Sequence, residues 1–449
     1  MIYVRDIIEI CNGELVCGNL DLECINFCKD TRELLDGDIY VGIKGETFNG
    51  NNFYKEAFDK GASVCILNMD TKIDKKKYKD KTIVLVDDTI SCLQKLAKYK
   101  RSLYNIPVVA ITGSVGKTSV KDIIYSVVSS KYKTLCTKGN MNNHIGVPLT
   151  ILGLKNHEAL VLEMGMNHMG ELHTLSNIAN PTVSVITNIG TAHIGNLGSR
   201  ENILKAKLEI LDGINQDMLV INNDDDMLRT VKYDSLITIG IDNDSDYVAK
   251  EIEDNIFSSS FYINDEYISI PVGSKAFVYN ALFAYAVGIK LGISSDYIKE
   301  ALKKFKLTPH RLELVDTGKF KIIDDTYNAS LDSVKNAVSL LSRVDNRKIF
   351  IFGDILELDD YGVDIHKEIG SYVLDSSIDV FICVGELSRY SYDAANDDGN
   401  NDGIRCYYFK DNRELLENIG QILNDGDMVL VKGSHGMKLV DVVEYLREN

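Results

Sequence analysis

Three α/β domains, the second and third built on mostly parallel sheets, are the architecture that the sequence predicts. The expectation rests on a length of 449 residues, on short apolar runs alternating with helical segments, and on two places where that alternation breaks. Apolar residues make up 45% of the chain and charged residues 26%, an ordinary globular composition with enough apolar material for a core in each unit.

The first unit, residues 1–104, reads as a small α/β domain. Strand-like Asp38-Ile39-Tyr40-Val41-Gly42-Ile43 leads into a polar Gly/Asn loop, a helix around Phe53 to Lys60, and the apolar Val64-Cys65-Ile66-Leu67. Pro107 precedes Val108-Val109-Ala110-Ile111, a run of the kind that forms a fully buried parallel strand, so a second unit spans residues 105–308. Within it Val120, Ile123, Ile124, Val127 and Val128 recur at helical spacing. The alternation returns with Leu160-Val161-Leu162-Glu163, Val183-Ser184-Val185-Ile186 and Met218-Leu219-Val220-Ile221. Residues 235–272 read as antiparallel hairpins, followed by two helices, the second ending near Phe305.

The third unit, residues 309–449, opens at Thr308-Pro309-His310-Arg311, because proline disfavours helix in the residue before it. Strand-like Phe320-Lys321-Ile322-Ile323 comes first. Lys348-Ile349-Phe350-Ile351-Phe352, Val380-Phe381-Ile382-Cys383-Val384 and Met428-Val429-Leu430-Val431 are each followed within two residues by glycine. That is a Rossmann-like pattern, with ligand loops at the carboxyl ends of the strands. Asp393 to Asp402 reads as a solvated loop.

A formal charge of −17 argues against nucleic acid or an anionic membrane as partner, since neutralising phosphates needs a basic surface. No apolar run reaches transmembrane length, and the first residues lack the apolar core of a signal peptide, so a cytoplasmic protein without membrane insertion is expected. The nine cysteines are scattered without a C-x-x-C pair and read as buried thiols.

The loop Gly113-Ser114-Val115-Gly116-Lys117-Thr118, with Ser119 behind it, follows a strand and opens a helix. Backbone N–H groups and the helix dipole there converge on an anion, which predicts an ATP-using enzyme with Lys117 against the phosphates and the Thr118 hydroxyl on Mg²⁺. Only two residues separate the glycines, against four in the usual signature, and a chance glycine turn is the alternative. Glu163 and His193 each lie just beyond an apolar strand, where metal and phosphate would sit; a structural loop histidine is the alternative for His193.

On a helix through Glu201 to Leu211, Ile203, Leu204, Ile210 and Leu211 form one apolar arc with Lys207 in its middle, while Lys205 pairs outward with Glu201 and Glu209. A buried lysine must be partnered, neutralised or modified, and a neutral amine reacts with CO₂ to give a carbamate; snorkelling to solvent is the alternative. Asn280 near a helix start is a candidate to read an adenine edge, or else a helix cap. Arg311, Asp324, Asp325, Tyr327 and Asn328 crowd the opening of the last unit as an interdomain hinge, with a solvated turn the alternative for Asp324.

Together these elements resemble the Mur ligase family over essentially the whole chain. Its glycine loops read T-G-x-x-G-K-T, as Thr112 to Thr118 do here. G-N-M-N-N-H-I-G-V-P-L-T, L-E-M-G-M-N-H-M-G-E-L, T-N-I-G-T-A-H-I-G, K-A-K-L-E-I, G-D-I-L-E-L and V-K-G-S-H-G-M-K resemble the branch that joins D-alanyl-D-alanine to UDP-N-acetylmuramoyl-tripeptide. The resemblance implies an ATP-dependent ligase of peptidoglycan synthesis that works through an acyl phosphate, using ATP and two Mg²⁺ positions as a monomer. It implies a carbamylated Lys207, with Glu163 and His193 as metal ligands. Asn142 and Asn143 would lie near the phosphates, Asn280 at the adenine, Arg311 on the γ-phosphate and Asp325 on the ribose. Asp30-Thr31-Arg32 resembles the family's D-S-R, and Lys44-Gly45-Glu46-Thr47-Phe48-Asn49-Gly50 its uridine-nucleotide loop, which implies substrate contacts at Thr31, Arg32, Lys44, Gly45, Thr47 and Asn49. Tyr327, Asn328, Ser434 and His435 are the implied dipeptide contacts. There Tyr327-Asn328-Ala329-Ser330-Leu331 stands for the usual Y-N-A-N-P, and Gly433-Ser434-His435 for G-S-R.

Overall fold

The apolar runs become strands, and the strands sort into four sheets. A computed structural model describes residues 1–45, 47–213, 218–255, 257–356, 358–396 and 403–448. A two-stranded ribbon joins Ile2–Tyr3 to Glu23–Cys24. A five-stranded sheet uses strands from Glu14–Cys17 to Thr82–Val86, all parallel except the pairing of those two.

The central sheet has nine strands. Third from one edge is Val108–Thr112, flanked by Ala159–Glu163 and Val183–Ile186 in parallel. All five residues of Val108–Thr112 are buried, and the two-residue period of a strand sends them to opposite cores. Val109 and Ile111 meet Val120, Ile123, Ile124, Val127 and Val128 of helix Lys117–Ser129. Val108 and Ala110 face a second core that continues into the N-terminal residues. Helix Thr89–Ser102 docks there on Gly146–Leu152 and Glu171–Ala179, and Arg101 Nε donates to the Ala179 carbonyl at 2.8 Å. The last sheet has six strands, parallel except Glu313–Asp316 against Lys321–Asp325, with an apolar core on each face.

Several expectations are corrected. Leu236–Gly240 does not start a hairpin but extends the parallel run beside Leu219–Asn222; only Tyr247–Asp254, Ser259–Ile263 and Glu266–Ile270 pair antiparallel with one another. The helix through Lys207 is α-helical over Arg200–Leu208 and tightens to a 3₁₀ turn at Glu209–Leu211. That change of pitch carries Glu209 away from Lys205, and its carboxylate instead accepts from the N–H groups of Gly170 and His173, capping helix Glu171–Ala179. Asp324 is no solvated turn: it is 1% exposed and accepts from the Thr326 N–H and hydroxyl. Asp393 to Asn396 end helix Ser388–Asn396 rather than starting a loop, and the remainder of that expected loop lies outside the described residues, as does Glu46 of the nucleotide loop. Among the described residues no helix is long and apolar enough to cross a membrane.

Candidate active site

The glycine loop sits between the end of Val108–Thr112 and the start of helix Lys117–Ser129, with Gly116 in the left-handed region at φ 79°. A Cβ on Gly113 would lie 1.8 Å from Thr187 Oγ1, so only glycine fits. The neighbouring strand end braces the loop. Asn188 Oδ1 accepts from the Val115 N–H at 2.9 Å, Asn188 Nδ2 donates to the Val115 carbonyl at 3.0 Å, and Thr187 Oγ1 donates to the same carbonyl at 2.9 Å. Lys117 Nζ is held by the carbonyls of Gly113 at 2.8 Å and Ser114 at 3.2 Å. Burial pushes its pKa down, the Glu163 carboxylate opposes this, and the Arg311 guanidinium adds to it.

Glu163 is 2% exposed. Its Oε1 accepts from Asn142 Nδ2 at 2.8 Å, whereas its Oε2 is buried with no hydrogen-bond donor. An unsatisfied buried carboxylate oxygen is costly unless a cation takes it. Thr137 Oγ1 accepts from the Glu163 N–H at 3.0 Å and fixes the strand end. His193, at φ 65°, has its pKa lowered to about 4 by burial, then by Lys117 and Lys207, so its ring is neutral and available as a ligand.

Lys207 is 1% exposed, which removes the snorkelling alternative. Its Nζ makes no ion pair or hydrogen bond with a described residue, and burial, with Lys117 nearby, pushes its pKa well down toward the neutral amine. Glu163 Oε2, buried without a donor, and the neutral His193 ring are groups here that could hold a metal ion, with the Thr118 hydroxyl, 8% exposed, in the adjoining loop. The most compact His/Glu/Asp trio among the described residues lies elsewhere, at His310, Glu313 and Asp324. There the groups satisfy one another: His310 Nδ1 lies 2.7 Å from Asp324 Oδ2, and the His310 N–H donates to Glu313 Oε2 at 3.1 Å.

Asn143 is exposed and caps helix Gly146–Leu152, its Oδ1 accepting from Ile145 and Gly146, which leaves its Nδ2 for a ligand. Asn280 is not a cap: Ser274 takes that place on helix Lys275–Lys290, and Asn280 lies almost two turns in, buried at 8% exposure. Arg311 stacks over the Tyr327 ring with Cζ 3.9 Å from its centroid, and its buried Nε lacks a partner. Ser119 and Arg311 line one small cleft.

Asp325 pairs with the buried Lys432, Nζ to Oδ2 at 2.6 Å, and the same ammonium donates to the Asn328 carbonyl at 2.9 Å. Tyr327 and His435 face each other, ring centroids 6.2 Å apart, and Ser434 Oγ accepts from the Leu356 N–H. Ser330, where asparagine is usual, caps helix Leu331–Leu341 together with Ser333. The chain thus draws Lys117, Glu163, His193, Lys207 and Arg311 into one electrostatic cluster.

The first-domain candidates form their own surface. Thr31 Oγ1 donates to Glu56 at 2.8 Å, Arg32 pairs with Asp30, and Lys44 bridges Asn49 around the exposed Gly45 and Thr47. Asn188, Thr187, Thr137 and Lys432 went unassigned in the sequence reading, although T-N-I-G and V-K-G-S had flagged three of them.

Residues 111–288 match the family described as Mur ligase middle domain, and residues 310–435 the one described as Mur ligase, glutamate ligase domain. The UDP-N-acetylmuramoyl-tripeptide--D-alanyl-D-alanine ligase of Bacillus subtilis strain 168 is 35% identical, over 99% of this chain and 98% of the relative. The crystal structure of MurF from Acinetobacter baumannii superposes with a TM-score of 0.88 at 28% identity, covering 100% of this chain and 99% of that one. The MurF ligase of Thermotoga maritima in complex with ADP gives 0.82 at 28% identity, over 94% and 97%. With two family domains matched in order around the braced glycine loop, the chain belongs to the Mur ligase family.

Proposed function

We propose that this protein is the ATP-dependent ligase that joins D-alanyl-D-alanine to UDP-N-acetylmuramoyl-tripeptide in peptidoglycan precursor synthesis. The observation that carries the reading is Lys207, a fully buried amine without a partner among the described residues and close enough to Lys117 of the phosphate loop to feel its charge. A lysine so placed is tolerable when its Nζ adds CO₂ and loses a proton, turning a costly cation into an anionic ligand. The full-length similarity to the B. subtilis ligase supports the choice of substrates.

A carboxylate is a poor acyl donor, and transfer of the γ-phosphoryl group gives it a leaving group. Lys117 neutralises charge developing on that group, and Arg311 approaches it from the joint between domains. Thr118, Glu163, His193 and carbamylated Lys207 would hold Mg²⁺, which supplies further charge neutralisation. Asn142 orients Glu163, Asn143 offers its amide to phosphate, Asn280 faces the adenine and Asp325 the ribose. Thr31, Arg32, Lys44, Gly45, Thr47 and Asn49 take the uridine nucleotide, while Tyr327, Asn328, Ser434 and His435 receive the dipeptide. Approach of the last domain keeps water from the acyl phosphate. One chain supplies every group, so a monomer in the cytoplasm, where ATP and nucleotide-linked precursors are found, suffices.

Phosphate release from ATP with Mg²⁺ and UDP-N-acetylmuramoyl-tripeptide is expected to depend on added D-alanyl-D-alanine; turnover indifferent to the dipeptide sinks the reading. Lys207→Ala is expected to lower ligation by at least about 10²-fold, as for loss of one electrostatic stabiliser. Added short carboxylates then restore part of it. Full activity in the unrescued variant excludes the carbamate.

A further inference from the structure

Asp332 carries a carboxylate without a hydrogen-bond or ion-pair partner among the described residues, and it lies against the phosphate loop from the other domain. It is the second residue of helix Leu331–Leu341, immediately after the stretch from Tyr327 to Ser330. A Cβ built on Gly190 would stand 2.9 Å from Asp332 Oδ2 and 3.4 Å from Ser114 Cβ. Gly190 in turn donates its N–H to Ser114 Oγ at 2.9 Å. Ser114 of the phosphate loop and this acid thus both border the one position that a Gly190 side chain would take. An acid in a first turn suits the helix dipole, but that accounts for the helix and not for its seat beside Gly190 and the phosphate loop.

The seat is chemically specific. An anion next to bound phosphates is repelled unless a cation comes between them. The incoming amine is such a cation: an α-amino group has a pKa of about 7.7–8.0, so near pH 7 it is mainly ammonium, charged and not nucleophilic. Asp332 remains solvent-accessible, as a group that must meet a substrate has to be. The surrounding walls and Glu368 push its pKa up, while Lys335 and Arg200 oppose them, and the net upward shift makes it a better proton acceptor.

We infer that Asp332 is a catalytic residue of amide formation, its carboxylate binding the dipeptide's ammonium and taking the proton whose loss turns that nitrogen into a nucleophile. The lone pair so freed forms the C–N bond to the acyl carbon as the carbonyl π pair moves to oxygen. The nitrogen, now cationic and strongly acidic, still carries two protons and passes one to an oxygen of the departing phosphate. The intermediate collapses, the carbonyl re-forms, the C–O bond to phosphate breaks, and inorganic phosphate leaves with the electron pair and that proton.

The inference rests on the ligase reading, and two nucleophiles in the full-length enzyme separate them. Hydroxylamine is neutral near pH 7 and attacks an acyl phosphate without help, giving a hydroxamate. Asp332→Asn is expected to form hydroxamate at the wild-type rate, while kcat/KM for D-alanyl-D-alanine falls about 10²-fold, the usual scale for a positioned acid or base. Asp332→Glu is expected to recover part of that loss, and the acid limb of the wild-type profile for the dipeptide, which reports Asp332 among Glu368, Lys335 and Arg200, is expected to vanish in Asp332→Asn. Dipeptide ligation by Asp332→Asn at the wild-type rate overturns the inference. So does a parallel fall in hydroxamate, which would mark a structural role. Absence of dipeptide-dependent turnover in the wild type overturns the ligase reading itself.

Discussion

Asn188 spends both ends of its amide on one residue of the phosphate loop, accepting from the Val115 N–H and donating to the Val115 carbonyl. The side chain thereby acts as a short piece of ladder, bracing the loop from behind, and the Asn188 carbonyl adds a third bond by accepting from the Ser114 N–H at 3.1 Å. Losing both bonds should cost about 1–3 kcal/mol of loop order. Asn188→Ala is therefore expected to raise the KM for ATP about tenfold, the equivalent of ~1.4 kcal/mol, with a smaller change in kcat. Asn188→Asp keeps the acceptor, loses the donor and adds a negative charge beside the phosphates, so it should be worse than alanine. Steady-state phosphate release at varied ATP ranks the two, and an aspartate variant better than the alanine one contradicts the bracing role.

Asp224 performs the equivalent task between elements. Its carboxylate accepts from the N–H groups of Ile241, Asp242 and Asn243 and from the Tyr279 hydroxyl at 2.8 Å, tying the turn after Leu236–Gly240 to the helix that carries Asn280. Burial acts to raise its pKa, but the hydrogen bonds from these four residues win and hold it at about 2. The folded-state pKa lies below the unfolded one, so the stabilisation is present above about pH 3.9 and is lost as pH falls through the folded value. Asp224→Ala should lower stability by about 1–3 kcal/mol at neutral pH in denaturant melts and raise the KM for ATP, and its deficit against wild type should shrink between about pH 4 and 2. A deficit independent of pH there refutes the carboxylate as its source. The contrast with Lys207 shows what a sequence can carry. A lysine in the middle of an apolar helical arc is visible from local periodicity, and so were the strands that end at Glu163 and before the glycine loop. Asp224 and Asn188 are polar residues in loops, whose partners lie 17 and 73 residues away. Such pairings exist only after the sheet has assembled. For the same reason Leu236–Gly240 was misread, because its alternating burial fits a hairpin as well as the edge of a parallel run.

Across the whole molecule, the central and C-terminal domains meet at a short strained joint. His310 at φ 64° and Leu312 at φ 52° flank Arg311, both in the left-handed region that costs a non-glycine residue roughly 1–2 kcal/mol. Thr308 is anchored to Asp122 of the phosphate-loop helix, and His310 to the buried Asp324 of the C-terminal sheet. Leu312 packs against the apolar cores of both domains, so its burial offsets the strain and fixes where Arg311 points. The ion pair of Arg343 with Asp254 spans the same two domains but is partly exposed, and such pairs contribute about 0.2–1 kcal/mol. The apolar wedge is the stronger pin. Leu312→Ala keeps the backbone cost and removes the wedge, so the two domains should stay folded while their mutual orientation loosens: a larger radius of gyration by small-angle scattering, and a higher KM for ATP as Arg311 loses its aim. Leu312→Gly also relieves the backbone strain and should loosen the joint further, whereas Arg343→Ala should scatter like the wild type. If Leu312→Ala leaves both scattering and KM unchanged while Arg343→Ala shifts them, the joint is held by charge and not by packing.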